Sequence, residues 1–166
     1  MSIKLLATSR KLSEDSYYAV VAPFLVGKNN PLYSVNDVYN GIFVHGNVLG
    51  DAMFYGSGAG KLPTASAVVA DVVDEAKHLH ENMPNEWNDQ PLPLADPDQV
   101  SGRFFVRVQT TDLSLIRSVF GTIEQIQVPK AEGETGFVTA QMTLGQYKAK
   151  AAEIKAEILS MIRIKD

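Results

Sequence analysis

A chain of 166 residues with 45% apolar and 20% charged side chains has an ordinary globular balance and room for one domain or two small ones. A net charge of −4 with no basic cluster excludes an electrostatic footprint for nucleic acid or an anionic membrane surface. The absence of cysteine excludes disulfides, a thiol nucleophile and thiolate metal ligands and fits a cytoplasmic setting, and no apolar run approaches the roughly 20 residues that cross a bilayer.

In chain order, Ile3 to Ala7 reads as a strand begun almost at residue 1, which suggests a piece cut from something longer. Tyr17 to Val26 is apolar and aromatic, with Pro23 marking an edge or a break. Gly27 to Pro31 is a loop, and Ser34 to Tyr39 a candidate helical turn. Gly41 to His45 and Ala52 to Tyr55 read as short strands joined at Gly46-Asn47, a hairpin signal. A helix opens at Pro63-Thr64. Its residues Ala65, Val68, Val69, Val72, Val73, Ala76 and Leu79 recur at helical spacing, and Asp71, Asp74, Glu75 and Lys77 lie on the other side. Residues 82 to 101 hold Pro84, Pro91, Pro93 and Pro97 and read as a linker, with Trp87 docking it to one side.

The remainder reads β-α-β-β-α-β. Arg103 to Gln109 is a strand. Thr111 or Asp112 caps a short helix that Gly121 ends. Ile123 to Pro129 and Phe137 to Met142 are strands around a charged turn, Lys130 to Gly136. Thr143 and Gln146 form a capping box for a helix with Leu144, Tyr147, Ala151, Ile154 and Ile158 on one side, and Met161 to Lys165 closes as a strand. The fold class is therefore α+β: a partial mixed sheet with a long helix, then a ferredoxin-like module. Two helices on one sheet face leave the other face or an edge free.

The stretch with the most chemical promise is GDAMFYGSGAGKLPTASAVVADVVDE, Gly50 to Glu75. A strand runs into three glycines in five residues, Gly56, Gly58 and Gly60, and then into a helix start with free N–H groups. It is not a P-loop, because Tyr55 and Leu62 stand where Gly and Ser or Thr are needed. Nor is it the dinucleotide fingerprint, because Lys61 replaces the third glycine. Two readings stay open: a ligand-facing corner, or a turn that packs a helix onto a sheet.

This stretch resembles the end of the catalytic region of homoserine dehydrogenases. Phe24 to Asn36, FLVGKNNPLYSVN, is similar to that family's LVPKxHPLxSVN segment, and Asn40 to Val44 continues it. The resemblance implies an NAD(P)-dependent parent enzyme that interconverts aspartate semialdehyde and homoserine in threonine and methionine biosynthesis. In it, Gly60 matches the glycine lying against the nicotinamide half of the cofactor, with Gly58 and Ala59 as weaker candidates. The family's Rossmann domain, catalytic lysine and substrate carboxylates precede the matched segment. The resemblance thus implies no catalytic residue here, no cofactor held by this chain alone, and a segmentation into 1–81 (catalytic region), 82–101 (linker) and 102–166.

Placed after such a sequence, the last segment resembles an ACT domain, a regulatory module that binds amino acids. That family's first loop and helix read DxPGVLAxIxxIFG. Thr110 to Gly121, TTDLSLIRSVFG, keeps the final Phe-Gly and lacks the Pro-Gly that holds an amino acid's backbone. The implied role is allosteric sensing of threonine by a homodimer. The alternative is a degenerate module that only dimerises. A third option is an unrelated small enzyme using the Gly56 to Gly60 loop.

Other candidates read more plainly as structure. His45, His78 and His80 are not clustered, so no metal site is expected, and His78 suits a helix C-terminus. Asp71 and Asp74 read as a solvated face, Lys61 as an exposed helix-entry residue, and Tyr17-Tyr18 and Phe104-Phe105 as core and sheet aromatics.

Overall fold

The computed structural model of the chain describes residues 1–81, 88–126 and 132–165. Its elements are β1 (Ser2–Ser13), β2 (Ser16–Val26), β3 (Tyr39–Gly46), β4 (Gly50–Ser57), α1 (Lys61–Lys77), β5 (Ser101–Gly102), β6 (Phe104–Val108), α2 (Leu113–Phe120), β7 (Ile123–Ile126), β8 (Thr135–Thr139), β9 (Met142–Thr143), α3 (Leu144–Glu153) and β10 (Ile158–Lys165). The class is α+β, as the residue pattern predicts. The chain divides into two compact units: Met1–Gly27 with Pro91–Asp166, and Lys28–Gln90. Trp87, the end of the strand expected to reach Pro129 and the start of the turn at Lys130 lie outside the described residues.

The first unit is a six-stranded sheet in the order β1-β2-β10-β6-β8-β7. Its last four strands are antiparallel neighbours, and with α2 and α3 they form the split βαβ arrangement. On β6, Phe104, Val106 and Val108 are buried while Arg107 is exposed, the period-2 pattern of a strand with one covered face. Ile116 and Phe120 of α2 and Leu144 and Tyr147 of α3 close over that face together with Phe137 of β8. The rings interlock, with centroids 5.1 Å apart for both Phe120–Phe137 and Phe104–Tyr147.

The helix ends follow the capping chemistry. Asp112 accepts from the amides of Ser114 at 2.9 Å and Leu115 at 3.1 Å, and Gly121, at φ +75°, ends α2. Thr143 and Gln146 exchange both bonds of the capping box, at 3.1 and 2.8 Å. The structure departs from expectation at the far end of α3. The helix stops at Glu153, and Ile158, placed by its spacing on the helix, begins β10 instead. A β-branched residue four positions past the cap fits either period, and pairing with Val108 of β6 decides it.

Two further points concern the sheet. It extends beyond the four antiparallel strands on one side: β2 lies parallel to β10, with Phe24, Leu25 and Val26 beside Arg163, Ile164 and Lys165, while β7 stands at an edge. Of the edge or break expected at Pro23 there is no break: β2 runs straight through Pro23, which pairs with Leu5 of β1. Pairing with β10 begins only at Phe24, so Pro23 stands where β2 has one neighbour and its missing N–H leaves no gap in that ladder. The proline-bearing stretch from residue 91 is held against the same unit. Tyr17 donates its N–H to the Pro93 carbonyl and accepts from Ala95 at 2.7 Å, and Asp98 pairs with Lys148 at 2.7 Å.

The second unit holds β3 and β4 in register from Tyr39–Ser57 to Gly46–Gly50, joined by Asn47, Val48 and Leu49, with Gly50 at φ +76°. The helical turn expected at Ser34 to Tyr39 is a 3-10 helix at Pro31–Ser34. Pro31 presets its first φ and the Asn30 side chain accepts from Leu32 at 3.0 Å, so the start signal precedes the expected one. α1 begins at Lys61, two residues before Pro63, and buries none of its residues: Val68 is 57% and Val72 62% exposed. Among the described residues, no helix is long and apolar enough to cross a membrane.

Candidate functional site

The glycine corner forms where β4 ends at Ser57 and α1 starts at Lys61. Gly60 is the N-cap, at φ +108° and ψ 160°, a backbone state that side chains with a Cβ rarely enter. The cap is glycine, so no side chain closes the helix end, and no acidic residue lies in the first turn. Thr64 donates to the Gly60 carbonyl at 3.1 Å, which starts the ladder, while Pro63 stands where a helix has no acceptor for an N–H. The amides of Lys61 and Leu62 thus lie at the positive end of α1 with no acceptor inside the helix.

The glycines of this corner differ in what surrounds them. Around Gly56 nothing lies within 4 Å of the place a Cβ would take. At Gly60 only the Pro63 ring comes near, at 3.7 Å. At Gly58 the Asn40 side-chain amide lies across the backbone where a Cβ would stand, and the same amide donates to the Val38 carbonyl at 3.4 Å. The corner is therefore open over Gly56 and Gly60 and filled over Gly58 by a side chain of β3. A flat ring that needs close backbone contact fits at Gly60. At Gly58 it would first have to displace Asn40. Ala59 and Lys61 are both exposed.

Two features of the same hairpin arise from strand pairing and not from any local signal. The contact of Asn40 with Gly58 is one. The other is a stacked pair, Tyr39 and Tyr55, with ring centroids 5.0 Å apart and planes 13° from parallel. Tyr39 lies opposite Ser57 and Tyr55 opposite Gly41, so the two rings meet on one face across a diagonal. A two-residue turn at Gly46-Asn47 would set Tyr39 opposite Phe54 and leave the two rings on opposite faces, so the pair follows only from the register in which Gly46 faces Gly50.

The remaining candidates are dispersed. His45 bonds Asp51 across the hairpin, Nδ1 to Oδ1, at 2.6 Å, with both side chains well exposed. His78 is the C-cap of α1, and its Nδ1 lies 2.9 Å from the Asp74 carbonyl oxygen, in keeping with a helix C-terminus. Among the described residues, no three His, Asp or Glu side chains gather where they could hold a metal.

In the loop that leads into α2, several polar groups are already engaged. The Asp112 carboxylate takes the first amides of α2, the Thr110 hydroxyl accepts from the Asp112 amide at 3.1 Å, and the Thr135 hydroxyl donates to the Thr110 carbonyl at 2.7 Å.

Comparison with known proteins places the corner inside a matched segment. The family model described as homoserine dehydrogenase matches residues 1–73. A homoserine dehydrogenase of Lactococcus lactis is 31% identical, over 87% of this chain and 37% of its own length. That of Synechocystis is 33% identical, over 98% of this chain and 44% of its own length. A homoserine dehydrogenase structure from Thiobacillus denitrificans superposes with a TM-score of 0.78 at 25% identity, covering 99% of this chain and 42% of that one. A Staphylococcus aureus homoserine dehydrogenase at pH 6.0 gives a TM-score of 0.69 at 24% identity, a likeness of fold alone. The chain spans about two fifths of the length of the relatives it matches.

Proposed function

We propose, from the premise that this chain belongs to the homoserine dehydrogenase family, that it corresponds to the C-terminal portion of an NAD(P)-dependent enzyme interconverting L-aspartate 4-semialdehyde and L-homoserine. The observation that carries the reading is the glycine corner. It lies within the matched residues 1–73, and its backbone at Gly60 is open to a flat ring while its φ excludes other residue types. The cofactor, when bound, supplies hydride transfer. The chain contributes a wall at Gly60 that the nicotinamide half can approach closely, flanked by Gly58 and Ala59, and a helix start whose amides favour electron-rich groups. A cytoplasmic setting belongs to the same proposal.

The C-terminal residues are, in this reading, a regulatory and dimer-forming module that senses threonine by binding one arrangement of the enzyme better than another. A second reading has a specific observation in its favour. Asp112 already occupies the α2 amides that an effector's carboxylate would need, which supports a purely structural, dimerising role.

Calorimetry of the 166-residue protein with threonine, methionine and isoleucine separates the two. Heat and a thermal shift with threonine support sensing, while silence with all three leaves the structural role. For the parent reading, the chain alone should neither turn over homoserine nor enhance NADPH fluorescence. Turnover by this chain unaided would overturn it and favour the small-enzyme reading of the Gly56 to Gly60 loop.

A further inference from the structure

The six-stranded sheet carries a second feature, independent of the glycine corner. Beyond the helices, its covered face continues across β10, β2 and β1 as a trough of about 200 Å³. One row across the sheet there reads Phe24, Arg163, Phe104, set by the strand register. Lys165, two residues on from Arg163, shares its face and sits beside the fully buried Val26. The Ser101 hydroxyl and the Gln141 side-chain amide, both neutral donors, line the same trough. Among the described residues that line it there is no Asp or Glu, in a protein whose net charge is −4.

The neighbouring cations are in different situations. Arg103 reaches Glu124 at 3.2 Å. Arg10 lies over the Tyr18 ring at 5.6 Å, and Tyr18 is six residues, roughly 20 Å, along β2 from Phe24. Arg163 and Lys165 form the end of the trough where, among the described residues, no carboxylate pairs with either cation. Two half-buried cations on one strand face repel each other and gain from an anion placed between them. The planar fork of Arg163 suits a two-oxygen partner.

We propose that the Arg163–Lys165 end of this trough is a binding site for a small oxyanion without an ammonium group, a phosphate or a dicarboxylate. The size limits the ligand, since about 200 Å³ falls below the roughly 300–1,000 Å³ of pockets for drug-sized molecules. The charge disfavours a free amino acid, because its ammonium would be repelled by the two cations.

The test uses the 166-residue protein at low ionic strength, with inorganic phosphate, succinate and threonine titrated by calorimetry and followed by melting. Phosphate or succinate should give saturable heat and raise the melting temperature, and the arm that responds identifies which oxyanion is preferred. R163Q/K165Q should weaken that binding by at least about ten-fold, the loss expected for two charge-assisted bonds. The charge-matched control K77Q/K155Q should leave it unchanged. In the unaltered protein, the bound anion should slow acetylation of Lys165 and leave Lys77 unaffected, a readout that does not depend on the variant folding. Absence of saturable binding by both anions would overturn the proposal, as would undiminished binding in a folded R163Q/K165Q or failure to protect Lys165. Threonine binding as tight as succinate at the protected site would also overturn it. Threonine heat that leaves Lys165 unprotected belongs to the sensing reading and counts against a zwitterion here.

Discussion

α1 and α3 carry the same kind of apolar spacing and end in opposite situations. Leu144 and Tyr147 of α3 are buried against β6 and α2, whereas α1 leaves Val68, Val69, Val72 and Val73 all exposed. The difference is one of partners, not pattern. A helix periodicity reports which side is ready to be covered, and the cover must come from somewhere else in space. In α3 the cover is a sheet whose strands follow within a few dozen residues. For α1, no neighbouring element among the described residues buries the stripe. Its four valines are weak helix formers, so α1 depends on packing more than α3 does and receives less of it.

Substitutions can sharpen that contrast, the largest first. Phe137→Ala removes a fully buried ring that packs at a tilt against Phe120 and should cost about 3–5 kcal/mol of unfolding free energy. Val72→Ala in α1, under the same denaturant titration, should change stability by less than about 0.5 kcal/mol. A loss at Val72 near that of a core valine would mean that α1 has found a cover, and the contrast would fail. Next, Thr143→Ala removes the hydroxyl arm of the capping box, leaving the Gln146 amide without its acceptor, and should cost about 1 kcal/mol, read as a lower urea midpoint with an unchanged slope.

A smaller effect concerns Arg107 and Glu134, which pair at 2.7 Å with Arg107 nearly half exposed. Arg107→Gln should cost less than about 1 kcal/mol, and the cost should shrink in high salt. The smallest is seen in alkali. Burial raises the Tyr147 hydroxyl above its usual pKa of 10.0. The folded state therefore holds that proton more tightly than the unfolded chain does. The resulting stabilisation is whole below about pH 10 and fades as pH rises through the folded-state value. Melting from about pH 9 to pH 11 should show Tyr147→Phe losing less stability than the parent.

Much of this was open to a reader of the residues. Asp112, Gly121 and the Thr143–Gln146 box are local signals, each resolved within one turn of chain, and each helix end fell where they put it. The homoserine dehydrogenase resemblance rested on a glycine-PTASAVVAD string that sits in the matched segment. What escaped was set at a distance. The pairing of β2 with β10 depends on two strands far apart in sequence, and no local period announces it. At Pro23 an edge and a break both stayed open because its neighbour on the second side was unknown. At Gly58 the need for glycine comes from Asn40, a side chain on another strand, so spacing within the loop gave no hint of it. Gly60 differs: its φ of +108° is a property of the loop itself.

The parallel seam between β2 and β10 bears on how the sheet forms. β1 and β2 are consecutive strands and can close as a hairpin by themselves, whereas β10, on the other side of β2, lies far along the chain. Until the two meet, β2 offers an open row of backbone groups, and joining it to β10 means closing a long loop. That seam should thus form late in folding, and the hairpin without it is the species most exposed to wrong pairing.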